Sequence, residues 1–242
     1  MSDIWHKEWG EYPEQFEDFS KRFTKHELAD WISDNTGLPW LKLDFKIPWE
    51  SFLQDIQEIQ DSEWINYRDT YSNNKWHAVV LHGFENKPMT ASDYGIGDDV
   101  PREWTTLGHR CKNIKSFIDN ECKFKFQERT RIMRLDPGGE IFLHHDRFDQ
   151  SGPLTKEISR LSTLHFVITN PNGMIFDIPH WGNIPLNNGD VFLFDNKWEH
   201  QLKNNSNEPR YHIILNGVDL SDMFWVNIKI RSWEKYKKQL MY

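Results

Sequence analysis

Residues 129–146 read RTRIMRLDPGGEIFLHHD, which is two short apolar runs joined by a proline-glycine turn. Short apolar runs that are broken by turn residues are typical of β-strands. The same pattern continues along the chain, with further apolar runs at residues 161–169, 174–178, 190–194, 198–202 and 211–215. Short and evenly spaced strands predict a mainly β protein of the sandwich, jelly-roll or barrel type.

The segments outside this β region carry helical signals. Thr24–Glu27 and Ser51–Gln54 each have the spacing of a capping box, in which a hydroxyl and a side chain three residues later satisfy free amides at a helix start. Ser232–Leu240 has apolar residues at helical spacing, whereas Trp76–Leu81 is short and apolar enough for a strand. We therefore expect helices to precede and flank the β region.

No segment reads as a linker or an internal repeat, so we expect a single domain over residues 1–242. Within it, the patterns predict an N-terminal part of helices and strands at residues 1–125, a β core at 126–217 and a C-terminal helical extension at 218–242. The two cysteines, Cys111 and Cys122, lie at opposite ends of a predicted helix. Eleven helical residues span about 16 Å, too far for a disulfide, so both thiols should be reduced and buried.

The composition excludes some classes of partner. The formal net charge is −8, and lysine and arginine are spread along the chain, which disfavours nucleic acid. Residues 1–12 lack the basic and apolar regions of a signal peptide, and nowhere do eighteen apolar residues run together. We expect a cytoplasmic protein without a membrane span.

Two histidines and one aspartate have the spacing of metal ligands. Alternation along a strand sends His144 and Asp146 to one face and His145 to the other. His200 follows a buried-looking strand and a turn, far enough along the chain to return across a sheet. Two imidazoles and one carboxylate that leave other positions open are the ligand set of non-haem Fe(II) oxygenases.

Arg210 stands ten residues after His200 and opens an apolar strand. A guanidinium that points inward from such a strand needs an anionic partner, because an unpaired buried charge is costly. A dicarboxylate co-substrate would supply that partner through a bidentate, charge-assisted contact. The alternative is a structural salt bridge between Arg210 and an acidic residue of the chain.

The motifs follow one another in the order Leu135-x-Pro137-Gly138-x-x-Ile141, His144-x-Asp146, His165, Pro171, Gly189-x-x-x-x-Phe194-Asp195-x-x-x-Glu199-His200, Asn205 and Arg210. This ordered set resembles the aspartyl/asparaginyl β-hydroxylase family of Fe(II)/2-oxoglutarate-dependent dioxygenases, and its proline cis-4-hydroxylase-like members in particular. The similarity covers roughly residues 129–217. One departure is Thr163, because family members often have an arginine two residues before the histidine that matches His165.

The resemblance implies a double-stranded β-helix, which is the cupin-like form of the jelly roll. It implies that His144, Asp146 and His200 bind Fe(II), that Arg210 holds the distal carboxylate of 2-oxoglutarate, and that His165 lies near this co-substrate. The implied reaction uses O2 to hydroxylate a free amino acid, an amino-acid derivative or a peptide side chain, and releases succinate and CO2.

Two arginines of the strand at residues 129–135 are candidates to bind the substrate. Arg131 shares a face with Met133 and Leu135, and Arg134 lies on the other face, so one of the two should point inward. The resemblance favours Arg131 as the residue that clamps a substrate carboxylate.

Two other functions compete with this interpretation. A jelly-roll binding module would need no such set of histidines, carboxylate and arginine, and a structural or hydrolytic Zn(II) site would use the same three metal ligands. The sequence does not specify the substrate or the oligomeric state.

Overall fold

The structure is a computed structural model that describes residues 23–89, 91–95, 100–146 and 163–240. The described helices are α1 (Lys25–Asn35), α2 (Trp49–Gln57), α3 (Thr106–Arg110), α4 (Lys112–Glu121) and α5 (Met223–Leu240). The described strands of the first half are β1 (Trp40–Lys46), β2 (Ile65–Asn66), β3 (Trp76–Gly83) and β4 (Glu103–Trp104). Those of the second half are β5 (Gln127–Leu135), β6 (Glu140–His144), β7 (Thr163–Thr169), β8 (Met174–Ile178), β9 (Gly182–Asn183), β10 (Asp190–Phe194), β11 (His200–Asn204) and β12 (Arg210–Val218).

The strands of the second half alternate between two antiparallel sheets. The larger sheet has the order β1-β10-β7-β12-β5-β3-β2, with β4 paired to β3, and the smaller sheet has the order β6-β11-β8-β9. From β5 to β8 the chain therefore changes sheet at every strand, and it does so again from β10 to β12. This is the double-stranded β-helix, so the predicted mainly β jelly roll is confirmed.

Strands of the N-terminal part extend the large sheet at both edges. β1 pairs with β10, and β3 pairs with β5, both antiparallel. Buried side chains alternate along β1, and four consecutive residues of β3 are buried, as expected for strands with a covered face. The sequence predicted β3 but not β1. The division of residues 1–242 into domain parts remains a prediction, and residues 1–22 lie outside the described residues.

Alternation along the strands separates an apolar face of the large sheet from a polar one. On β7, Leu164 and Phe166 belong to the core that packs beneath the helices, whereas His165 lines a pocket between the two sheets. On β12, Ile213 packs beneath the helices and Arg210 lines the same pocket. The polar side chains of the large sheet therefore face the interior of the jelly roll, while most of the buried apolar side chains lie on the helical side.

Of the two capping boxes that the sequence predicts, one is confirmed and one is wrong. At Thr24, the hydroxyl accepts from the Glu27 amide and the Glu27 carboxylate accepts from the Thr24 amide, so the capping box is present. At Ser51 it is absent, because α2 begins earlier at Trp49 and Ser51 donates its hydroxyl to the carbonyl of Pro48. A proline at the cap position starts the helix with its fixed backbone angle rather than with a side-chain bond.

Other boundaries also differ from the sequence prediction. The strand expected from residue 198 begins at His200, and the helix expected from residue 232 begins at Met223. Residues 161 and 162, the expected start of β7, lie outside the described residues. Cys111 and Cys122 are both free and buried, as predicted, although the helix between them begins only after Cys111.

No helix of the described residues is long and apolar enough to span a membrane. The cytoplasmic location remains a prediction.

Gly108 is the point at which α3 contacts β3 most closely. A Cβ atom at residue 108 would lie 2.1 Å from the carbonyl oxygen of Leu81, although helix propensity alone favours alanine over glycine by about 1 kcal/mol. We expect Gly108→Ala to lower the free energy of unfolding by about 1–3 kcal/mol, measured by urea denaturation. The exposed neighbour His109→Ala is the control and should change it by less than about 0.5 kcal/mol. An equally stable or more stable Gly108→Ala protein would show that this contact is not tight.

Candidate functional site

One pocket between the two sheets brings together most of the residues that the sequence singled out. Both sheets contribute to its walls, and the apolar part of the lining includes Phe176 and Phe194. The predicted site residues that line it are Arg131, His144, Asp146, His165, His200 and Arg210. Arg134 is the one predicted site residue that does not line the pocket.

His144 and His200 face each other across the pairing of β6 with β11. They are register partners, and their ring centroids are 4.4 Å apart. His145 is exposed and does not line the pocket, as the alternation of the strand predicts. Neighbouring strands therefore place these two imidazoles side by side at the pocket wall.

Each of these histidines is held by a backbone carbonyl two residues earlier in the chain. Nδ1 of His144 lies 2.7 Å from the carbonyl oxygen of Phe142, and Nδ1 of His200 lies 2.8 Å from that of Trp198. A carbonyl only accepts, so Nδ1 carries a proton in both rings, and in a neutral ring of this kind the lone pair is on Nε2. Burial and the neighbouring His144 lower the pKa of His200 to about 4. Both features suit metal coordination, because a metal binds neutral imidazole.

Asp146 lies two residues beyond the end of β6, and not on the strand as the alternation argument assumed. Asn196 keeps it beside the histidines: the Asn196 amide donates to Oδ2 of Asp146 at 3.0 Å, and the Asp146 backbone N–H donates to the Asn196 carbonyl. Oδ1 of Asp146 is 3.9 Å from Nε2 of His144. The carboxylate side chain remains 50% exposed.

The side chains of His144, Asp146 and His200 all line the pocket, but they do not form a closed metal site. Among the described residues, no group of three His, Cys, Asp or Glu side chains is close enough to hold a metal ion as it stands. The donor set nevertheless fits Fe(II), because two Nε2 lone pairs and one carboxylate face the same space and leave further positions open.

Arg210 is 4% exposed, and in the described part of the chain no carboxylate lies within ion-pair distance of it. Its Nη2 donates to Nδ1 of His212 at 2.7 Å, and its Nε has no partner among the described residues. Burial lowers its pKa to about 9, so the guanidinium is still charged at neutral pH. The alternative of a structural salt bridge therefore finds no support among the described residues.

His165 lies on β7 in the same part of the pocket. Its ring stacks on Phe192, with centroids 4.6 Å apart, and it meets Phe194 edge-on. Its buried Nδ1 has no hydrogen-bond partner among the described residues. Burial, together with the charge of Arg210, holds the pKa of His165 well below its usual value. It is therefore a neutral ring with hydrogen-bonding capacity to spare.

Arg131 and Arg134 of β5 point in opposite directions. Arg131 is buried, and it donates to the Tyr67 hydroxyl at 2.7 Å and to the Asn216 side chain at 2.8 Å, while its Nε has no partner. Arg134 lies on the other face, where it pairs with Asp61 and with Asp136. Arg134 therefore does not line the pocket and its charge is paired outside it, and a role of Arg134 in substrate binding stays a prediction.

Sequence reasoning missed several residues of the pocket. Tyr67 and Arg68 come from the loop after β2, where Arg68 has a left-handed backbone with φ of 50°. Asn196, His212 and Asn216 also line the pocket. No motif marks the loop residues, although the alternation that placed Arg210 inward would also have placed His212 inward.

The chain has distant likenesses to solved structures of oxygenases. A prolyl hydroxylase from Trichoplax adhaerens, in complex with a hypoxia inducible factor peptide fragment, is 13% identical with a TM-score of 0.48 over 85% of this chain and 93% of that chain. A Pseudomonas putida prolyl-4-hydroxylase is 10% identical with a TM-score of 0.42, over 80% of this chain and 98% of that chain. Because both TM-scores are below 0.5, these likenesses carry no weight in the assignment.

Unlike these likenesses, the comparison with a family model supports an assignment. No curated protein matches the chain. The family model for aspartyl/asparaginyl β-hydroxylase matches residues 47–219, which is well over half of the 242 residues and includes every pocket residue described above. The chain therefore belongs to the aspartyl/asparaginyl β-hydroxylase family.

Proposed function

We propose that this enzyme hydroxylates a free amino acid, an amino-acid derivative or a peptide side chain, and that it converts 2-oxoglutarate to succinate and CO2. In this proposal His144, Asp146 and His200 bind Fe(II). Arg210 binds the distal carboxylate of 2-oxoglutarate, with His165 beside this co-substrate, and Arg131 binds a carboxylate of the substrate.

The observation that carries the proposal is the buried charge of Arg210 beside the histidine pair. A guanidinium without an anionic partner in a low-dielectric interior is costly, and the pocket is where a dicarboxylate could enter and neutralise it. A simple binding module would have no need for that charge next to two imidazoles with free Nε2 atoms. A Zn(II) hydrolase would not need it either.

The bound metal, with 2-oxoglutarate and O2, supplies the oxidising power that replaces a substrate C–H bond by C–O–H. One oxygen atom of O2 enters the product, and the other enters succinate as 2-oxoglutarate loses CO2. The protein contributes binding, orientation and a dry environment.

Side chains of both sheets contribute to these tasks. Phe176 and Phe194, both buried, flank His200 at centroid distances of 6.0 Å and 4.9 Å and exclude water around it. The guanidinium of Arg210 lies over the ring of Phe176, 5.7 Å from its centroid, so that an apolar ring flanks the charge. An apolar wall strengthens a charge pair that forms beside it.

Arg131 suits a substrate carboxylate further along the same sheet, because it lies on β5, which pairs with the β12 strand of Arg210. Its contacts to Tyr67, to the carbonyl of Pro88 and to Asn216 leave the Nε–H without a partner. Arg68 stands next to it, half-buried and lining the same pocket. Two cationic side chains at this wall support a substrate that presents at least one carboxylate, as a free amino acid or an acidic side chain does.

We expect His144→Ala, Asp146→Ala and His200→Ala each to abolish 2-oxoglutarate-dependent succinate formation. Loss of a direct ligand should also weaken Fe(II) binding by more than about 100-fold, which exceeds the usual effect of losing a supporting residue. Anaerobic Fe(II) titration measures the affinity, and thermal melting checks the fold. His145→Ala is the matched control and should retain Fe(II). A dead His145→Ala protein alongside an active His144→Ala protein would reverse the face assignment.

Arg210→Lys keeps the charge but loses the planar fork, and Arg210→Ala loses both. Breaking a buried charge pair costs about 2 to 5 kcal/mol, so Arg210→Ala should raise the dissociation constant of 2-oxoglutarate by about 30-fold or more. Calorimetric titration of the anaerobic Fe(II) protein measures this value, and Fe(II) affinity should change far less. An unchanged affinity for 2-oxoglutarate in a folded Arg210→Ala protein would remove Arg210 from the site.

Arg131→Gln should separate substrate binding from co-substrate binding. Loss of a charged hydrogen bond should raise the KM for the amino-acid or peptide substrate by about tenfold or more, while 2-oxoglutarate affinity stays close to that of the parent protein. Succinate formation across the free amino acids and a small peptide panel provides the assay. Arg134→Gln on the outer face is the control. Equal effects of the two substitutions on KM would show that Arg131 acts through the fold and not on the substrate.

A further inference from the structure

His212 is a buried histidine of the pocket for which the proposed mechanism has no role. It lies two residues after Arg210 on β12, so that both side chains are on the same face of the strand. It is 1% exposed, and its ring meets Phe192 and His165 edge-on at centroid distances of 6.1 Å and 6.2 Å. Its one hydrogen bond within the described residues is the contact of 2.7 Å with Arg210.

This contact fixes the protonation of the ring. Arginine has five N–H donors and no acceptor, so Arg210 donates through Nη2 and Nδ1 of His212 accepts. A neutral imidazole that accepts at Nδ1 carries its proton on Nε2. Burial and the charge of Arg210 hold the pKa of His212 well below its usual value, which keeps the ring neutral.

A neutral hydrogen-bond acceptor leaves the charge of a buried arginine in place, whereas a carboxylate neutralises it. Aspartate or glutamate in this place would orient the guanidinium but would also neutralise its charge, and an incoming anion would then meet a pair with no net charge. The lone pair of an imidazole holds one N–H and leaves the full positive charge. Among the described residues no carboxylate competes for Arg210, and its Nε is still without a partner.

We propose that His212 is a positioning residue that holds Arg210 through Nδ1 and leaves the guanidinium charge free for the distal carboxylate of 2-oxoglutarate. This inference rests on the proposed function, in which Arg210 binds that carboxylate. His212 then affects co-substrate affinity through the direction and the charge of Arg210, and not by touching the co-substrate.

Three substitutions of His212 test the two ring nitrogens and the charge separately. Oδ1 of asparagine can take the place of Nδ1, so His212→Asn keeps the acceptor. The amide of glutamine reaches the place of Nε2 instead, so His212→Gln keeps that donor and loses the acceptor. His212→Asp has the shape of His212→Asn and adds one negative charge beside Arg210. Since the asparagine and aspartate variants differ only in charge, they form a matched pair.

The experiment is calorimetric titration of 2-oxoglutarate into the anaerobic Fe(II) protein, with Fe(II) titration and thermal melting of each variant as checks. We expect His212→Asn to stay within about threefold of the parent affinity and His212→Gln to lose about tenfold, the usual effect of losing a charged hydrogen bond. His212→Asp should lose about 30-fold or more, because it neutralises the charge that binds the anion. Fe(II) affinity should be the same in all of them.

Other orders of affinity would overturn the proposal. If His212→Gln binds well and His212→Asn binds poorly, the ring acts through Nε2 and touches the bound molecule directly. If His212→Asn and His212→Asp bind equally, the free charge of Arg210 does not matter. If His212→Gln or His212→Asp fails to fold, the other is still compared with His212→Asn, and if His212→Asn fails, each of the other two is compared with the parent protein. A parent protein that binds Fe(II) but not 2-oxoglutarate would instead defeat the proposed function itself.

Discussion

A positive charge lies inside this jelly roll with no carboxylate of the described residues to neutralise it. Arg210 is buried, charged at neutral pH, and held by the neutral ring of His212. Burial of an unpaired charge normally destabilises a protein, and such a charge is retained where it serves a ligand. The proposed binding of a dicarboxylate and the proposed role of His212 both depend on this charge.

The fold creates this arrangement by dividing the site between its two sheets. The small sheet places His144 opposite His200 through the pairing of β6 with β11. The large sheet places Arg210 and His165 on neighbouring strands, because β12 pairs with β7 and Ile214 of β12 is the register partner of His165. A metal held by the small sheet and an anion held by the large sheet would then meet in the space between them.

Much of this site could be predicted from the sequence, because it depends on local spacing. Alternation identified His144 as inward and His145 as outward, and the structure places them so. The same rule showed that Arg131 and Arg134 lie on different faces. Family resemblance added the order of the motifs, and the match over residues 47–219 confirms the family.

The remainder could not be predicted because it depends on contacts between distant segments. Asp146 was expected on a strand that in fact ends at His144, and Asn196 from another loop keeps it at the pocket. Arg68 reaches the pocket from a loop with a left-handed backbone that its sequence does not signal. β1 joins the sheet beside β10, which lies about 150 residues further along the chain, and no local pattern encodes such a pairing.

We propose that one metal and one dicarboxylate occupy this pocket together. The most direct measurement is the visible absorption spectrum of the anaerobic protein, loaded with Fe(II) or with Zn(II), as 2-oxoglutarate is added. We expect a weak charge-transfer band with Fe(II) that saturates at one equivalent of 2-oxoglutarate, and no band with Zn(II). A protein that holds one Fe(II) per chain and shows no band at saturating 2-oxoglutarate would contradict it.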